Sequence, residues 1–267
     1  MISKLSCTLL IFLLLVSSVY GQVDLSFEID ENYLIVHTLA KARSRGKFSE
    51  DVKKFQNEIF EKHKKEYRQL QKIPIYKINP VTIKKSSFSF FSKLYPEIKK
   101  SDSYRVILKQ TQEYKEEIRV EWFKNYEKSF EIMKSITKLD LKENFEIIVT
   151  HPAVGNGTNL RNYTIVWGSW GEWSNYATIY LWHEILHTFL EGKSNIEHSV
   201  IQYAADNELR KRLNGANYPP FVGHKRLLPT MNLLLDDWQK FLENGEEDIK
   251  VFSKKMHQKY SENIHYF

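Results

Sequence analysis

The chain has 267 residues, of which 42% are hydrophobic, 27% charged and 14% aromatic. This balance excludes wholesale disorder and demands a packed core. The formal charge of +6 is spread thinly. Lys-rich stretches such as residues 62–65 lie among Glu and Tyr at helical spacing, which is the pattern of a solvated helix face, and no module accompanies them that would imply nucleic-acid binding.

Lys4 gives the chain a positive start, and a short apolar run follows over residues 9–16. Residues 1–21 therefore read as a signal peptide, cut after the small residues around Gly21 and before Gln22, because the run is too short to span a bilayer comfortably. The alternative is an uncleaved membrane anchor. Cleavage removes Lys4, lowering the charge to +5, and also removes Cys7, the only cysteine. A mature chain without disulfides fits a secreted or periplasmic bacterial protein with no stable membrane span.

Residues 23–30 alternate strictly between apolar and polar, as a half-buried strand does. Ser49 then caps a helical stripe of Val52, Phe55, Ile59 and Leu70, and a second amphipathic stretch covers residues 114–133. Between them, Pro74, Pro80 and a Ser/Phe cluster make residues 73–95 a loop or hinge. A mainly helical lobe over residues 22–140 and a catalytic lobe over 141–267 are the expected division. In the second lobe, residues 145–150 and 163–167 are apolar, β-branched strands joined by a Gly/Asn loop. The loop region also carries two glycosylation-type triplets, at Asn156 and Asn162. An aromatic turn over residues 168–173 follows, and two amphipathic helices broken near Asn244-Gly245 close the chain.

The chemistry centres on His183-Glu184-Ile185-Leu186-His187. On a helix, two histidines four apart share one face, so both imidazoles can reach one ion, and Glu184 stands beside it where a base acting on water belongs. A catalytic metal needs a third protein ligand and one open position. Ser194 and Glu197 form a capping box that starts the next helix, expected over residues 195–213. Glu208 falls within its apolar stripe of Ile201, Ala204 and Ala205, and a buried carboxylate must find a cation. Asp206 projects about 160° away from it at about 100° per residue, so only one of the two can face the ion, and patterning favours Glu208. His198 is the rival third ligand.

The stretch over about residues 145–212 resembles the gluzincins, the metallopeptidase group that includes thermolysin. There the His-Glu-x-x-His helix is followed by a helix whose Glu, often after Asn, is the third zinc ligand, and Asn207-Glu208 fits that pattern. The resemblance implies an α+β fold, a mainly helical zincin-like domain with a small antiparallel sheet before the metal helix. Residues 163–167 take the place of the edge strand that lines the substrate groove. No Gly-x-Met-Glu-Asn signature is present, which places the chain in a divergent branch.

The expected activity is that of a zinc-dependent metallopeptidase acting on a peptide or protein substrate. Zn²⁺ would lie on His183, His187 and Glu208, Glu184 would be the general base, and His224 or Tyr203 would supply the oxyanion donor. Trp167, Trp170 and Trp173 either line the groove or pack the metal helix onto the sheet. The competing readings are an envelope binding protein with a zincin fold and a non-catalytic metal site, and a hydrolase of amides other than peptides. Oligomeric state is not readable from the residues.

Overall fold

The computed structural model describes residues 23–171, 173–190, 192–215 and 223–260, apart from the side chain of Ser87. The signal peptide expected over residues 1–21 lies outside them. Among the described residues no helix is long and apolar enough to cross a membrane.

The alternation of the first described segment becomes strand β1 (Val23–Glu28), whose Val23, Leu25 and Phe27 are buried while the intervening residues are exposed. Helix α1 (Glu31–Ala40) follows, with Asp30 accepting from the Tyr33 amide at 3.0 Å as its cap. The stripe expected as one helix is two, α2 (Ser49–Lys62) and α3 (Lys64–Gln71). The chain breaks at His63, whose backbone leaves helical geometry (φ −132, ψ 45) without a Pro or Gly to mark it. Ser49 does not cap α2. Phe48 holds that position and no side chain completes it. Residues 73–95 form a chain of short helical turns, the last beginning at Tyr95.

Helix α4 (Asp102–Thr137) runs for 36 residues, well beyond the 114–133 stretch readable from periodicity. Ser101 caps its start, accepting from the Tyr104 amide at 3.2 Å, and Lys138 closes it in the left-handed conformation. At about 1.5 Å per residue such a helix is roughly 54 Å long. Tyr104 and Ile107 near its start pack in one apolar cluster, and Tyr114 through Ile136 pack in another.

Strands β2 (Glu143–Val149), β3 (Asn156–Asn159) and β4 (Thr164–Gly168) complete a four-stranded sheet in the order β1-β2-β4-β3. The molecule is thus α+β and mainly helical, as expected, but the sheet is not antiparallel. β1 pairs parallel to β2 with Phe27 opposite Ile147, β2 pairs parallel to β4 with Ile147 opposite Ile165, and only β3 runs antiparallel to β4. The reason is connectivity. β1 reaches β2 through α1 to α4, a crossover long enough for parallel pairing, and β2 reaches β4 through a turn and β3 rather than a tight hairpin. Residues 163–167 are consequently an interior strand, and the edge belongs to β3, built from Asn-Gly-Thr-Asn.

Successive strand residues divide between the two faces. Phe145, Ile147, Val149, Ile165 and Trp167 join the cluster that contains the C-terminal helices, whereas Ile148 and Val166 join the cluster of α1, α2 and α3. The two cores therefore divide by sheet face, and Val23, Leu25 and Phe27 pack with the second half of the chain.

Helix α5 (Tyr176–Leu190) carries the His-Glu-x-x-His motif, and its neighbour α4 positions it. Its own first turn has no acidic residue, but Glu121 of α4 accepts from the Thr178 amide at 2.7 Å and from the Thr178 hydroxyl at 3.0 Å. A carboxylate placed on free N–H groups satisfies them and complements the helix dipole. Trp182 locks the same interface, its indole donating to Ser129 at 2.9 Å with its ring 5.4 Å from Trp122. Helix α6 (Asn195–Ile201) has the predicted capping box, with both Ser194 and Glu197 bonds present. It continues as a π-helical stretch over Gln202–Leu209 and an α-helical turn over Arg210–Asn214. Helices α7 (Leu228–Asn244) and α8 (Ile249–Tyr260) are the two expected at the C-terminus, separated at Gly245, whose φ is +63.

His37 of α1 is 1% exposed, and neither ring nitrogen has a partner. Burial, with the nearby Lys41 charge, pushes its pKa down from 6.5 to about 3. In the unfolded chain an ordinary histidine takes up a proton near pH 6.5, which the folded chain refuses until pH is much lower. Stability should therefore fall as pH drops from about 6.5 towards 3, by up to about 1.4 kcal/mol per pH unit from this group. Urea melts between about pH 7 and 4.5 should show a shallower decline in His37→Leu than in the wild type; equal slopes would remove the assignment.

Candidate metal centre

Helices α5 and α6 meet where His183, His187 and His198 converge, each offering a ligand nitrogen within 4.8 Å of the others. Their ring centroids are 5.0 Å (His183–His187), 5.3 Å (His183–His198) and 4.9 Å (His187–His198) apart. The Nε2 atoms of His183 and His187 are 3.2 Å apart. Two imidazole nitrogens held at about 2.0–2.1 Å from one tetrahedral ion stand about 3.3 Å apart. His198 presents a buried Nε2 that has no hydrogen-bond partner. This group could bind a metal ion: it has the donor type, the spacing and an unused buried nitrogen.

The α5 helix brings its two histidines together by their four-residue spacing, and a glycine makes room for His187. Gly192 has φ +60, and a Cβ there would lie 2.1 Å from His187 Nδ1. Asp206 sets the orientation of His183. Its Oδ1 accepts from His183 Nδ1 at 2.8 Å, which leaves Nε2 to face the cluster. Burial lowers the His183 pKa, but the charge and hydrogen bond of Asp206 outweigh it and hold the imidazole above its ordinary value. His187 is pushed down to about 3 by burial and by the His183 and His224 charges, and His198 is lowered by burial and by the charges of His183, His187, His224 and Arg226. Both therefore keep a lone pair free at neutral pH, which metal binding requires.

Glu184 is 8% exposed and stands beside the cluster. Burial raises its pKa, opposed by His183 and by the Asn159 amide. Asn159 of β3 bonds it twice: its backbone N–H donates to Glu184 Oε2 at 2.8 Å and its side chain donates to the Glu184 carbonyl at 2.7 Å, while the same side-chain nitrogen donates to the Thr188 hydroxyl at 2.8 Å. The other carboxylate oxygen faces Gly157, where an added Cβ would lie 3.4 Å away. A cavity of about 470 Å³ opens at Glu184 and His183, with Trp167, Tyr180, Gln202 and His224 in its walls. His224 also lines an adjoining opening, which shares Gly157, Thr158, His183 and Glu184 with the first and reaches His187 and His198, and its ring is 4.9 Å from that of His198.

Glu208 is not part of this group. It is buried at 5% exposure, as the apolar pattern requires, but its Oε2 accepts from Arg212 Nε at 3.0 Å, one turn along the same helix. The expected order of the two acids is reversed, with Asp206 at the centre and Glu208 away from it. The physical reason is the π-helical stretch: its wide turns change the angle per residue, so bookkeeping at about 100° fails between residues 202 and 209. Tyr203 is also displaced from the role considered for it. It stacks on Trp238 at 5.3 Å and donates to the Met231 carbonyl. Of the three tryptophans, Trp167 lines the cavity and stacks on Tyr180, Trp170 is exposed over Tyr114, and Trp173 packs on Tyr176.

Asn159, Gln202 and Asp206 were not expected at the site. A signal for two of them exists, since His198, Gln202 and Asp206 recur every four residues and form one polar line along an otherwise buried helix. Gln202 is fully buried with both side-chain polar atoms unpartnered, and Asp206 Oδ2 is likewise unpartnered. Both residues line the cavity, so its walls present unused hydrogen-bonding capacity to a polar ligand.

Comparison with protein-family models, curated proteins and solved structures finds no match to this chain. Titration of the full chain with a divalent cation against a chelating dye should give about one site. His198→Ala should weaken it at least about a hundredfold, and Asp206→Asn by about ten- to a hundredfold. Glu208→Ala should leave affinity unchanged, because Glu208 is bonded to Arg212 and not to the three histidines. Loss of the ion in Glu208→Ala with retention in His198→Ala would reverse the assignment.

Proposed function

We propose that the chain is a zinc-dependent metallopeptidase of zincin-like type, with His183, His187 and His198 as the metal's protein ligands and Glu184 as general base. The observation that carries this reading is Glu184 itself: a buried carboxylate with a raised pKa, fixed beside three convergent imidazoles at the mouth of a cavity. A structural metal site has no use for such a group, whereas hydrolysis requires one. When bound, zinc supplies Lewis acidity, polarising a carbonyl and bringing the pKa of water towards neutrality.

The chain's own residues then have distinct tasks. Glu184, held through one oxygen by the Asn159 amide, keeps the other free to take a proton from the attacking water and pass it to the leaving amine. Asp206 keeps His183 in the tautomer that presents Nε2. His224 and Tyr180 line the cavity and are the donors that can meet charge developing on the carbonyl oxygen. Edge strand β3 borders the same cavity through Gly157 and Thr158, where an extended peptide can pair with backbone groups. Export through the segment over residues 1–21 would deliver this activity outside the cell.

Zinc-loaded full chain incubated with a mixed peptide library should produce cleavage products visible by mass spectrometry. Glu184→Gln should keep one zinc per chain and lose about a thousandfold or more of the rate. Undiminished cleavage by that variant, or none by the zinc-loaded wild type, would end the proposal.

A further inference from the structure

The cavity at Glu184 continues beyond the metal-capable centre. Through Lys41, Gly155, Ser169 and Tyr176, which line both, it opens into a neighbouring cavity of about 740 Å³. The segment after α1 forms a wall of this neighbour, and Lys41, Arg43, Arg45 and Lys47 all line it, a cation at every second position. No acidic residue lines it among the described residues. Lys41, Arg43 and Arg45 form no ion pair with any described residue, whereas other surface cations do, as in Lys53–Glu50 and Arg119–Glu116.

The backbone that displays these cations is fixed. Gln56 donates to the carbonyls of Thr38 and Lys41 at 2.7 and 2.8 Å, and the Arg45 amide donates to the Ala153 carbonyl at 2.8 Å. Lys41, at the junction of the two cavities, is half-buried, and burial pushes its ammonium below the ordinary lysine range. Like charges held along one wall repel each other, and an anion lying against them relieves that cost. An arginine fork also matches the two oxygens of a carboxylate.

We propose that this groove takes acidic peptides, with substrate carboxylates against Lys41, Arg43 and Arg45 while the bond to be cut lies at Glu184. The assignment of the substrate class rests on the peptidase reading. A peptide is favoured over a nucleic acid because strand β3, at the edge of the sheet, borders the adjoining Glu184 cavity and offers backbone pairing there to an extended chain.

The test separates binding from cleavage. Binding is measured with full-length, zinc-loaded Glu184→Gln chain and two rhodamine-labelled octapeptides that differ only in Glu against Gln. The Glu peptide should bind roughly tenfold more tightly at about 50 mM salt, an advantage that shrinks at about 500 mM. Arg43→Ser with Arg45→Ser, both exposed positions, should remove most of that advantage and leave the Gln peptide's Kd unchanged; Lys41→Met should act in the same direction. Equal affinity for the two peptides, an advantage that survives the double substitution, or equally effective displacement by an oligodeoxynucleotide of matched charge overturns the acidic-peptide assignment. In the wild type, equal kcat/KM on both peptides overturns it while sparing the peptidase reading. Tight, selective binding without any hydrolysis overturns the peptidase reading and leaves the groove's preference standing.

Discussion

The bond from His183 Nδ1 to Asp206 Oδ1 joins the two helices on which the candidate centre depends. Asp206 is fully buried, so its charge must be compensated, and the imidazole of a neighbouring helix provides the partner. That pairing fixes the ring of His183, and through it the direction of Nε2, the spacing to His187 and the approach of His198. It also forces α6 and its continuation against α5 at one angle. The carboxylate reaches His183 only because the chain is π-helical over Gln202–Leu209. π-helical turns of this kind are rare and recur at functional sites.

Much of the fold could be read from periodicity. The strict alternation of β1, the capping box of Ser194 and Glu197 and the break at Gly245 all took the form their residues dictate. What failed did so for identifiable reasons. The break at His63 is carried by tertiary contact, including His63 Nε2 with Glu97 at 3.1 Å, rather than by a local helix breaker. Strand β3 could not be seen because Asn, Gly and Thr-Asn have little strand preference; its pairing with β4 and the clamp of Asn159 on Glu184 hold it extended. Parallel pairing of β1 with β2 is a property of the whole crossover, which no local window contains.

At the site, His183, Glu184 and His187 were legible because four-residue spacing on a helix fixes a shared face whatever else the chain does. Glu208 was misassigned from a sound premise. A carboxylate in a buried stripe does need a cation, but Arg212 stands four residues later on the same helix and satisfies it locally. His198 has no such local explanation, since the residues one turn away are Ser194 and Gln202, and the side chain of neither bonds its Nε2.

The opposite titration directions within the cluster follow from its packing. Three imidazoles with ring centroids about 5 Å apart cannot all carry a proton in a buried site, because each added charge lies in the field of the others. Asp206 decides which ring is favoured. His183, bonded to the carboxylate, is held up, and its charge adds to burial in driving His187, His198 and His224 down. The cluster thus concentrates positive charge at one ring and leaves two lone pairs directed at the same small volume. Glu184 is subject to the reverse balance, raised by burial and lowered by His183. One buried carboxylate therefore orients a ligand while the other, one residue along α5, is kept ready to hold a proton; the difference lies in which polar groups each meets, an imidazole for Asp206 and a strand amide for Glu184.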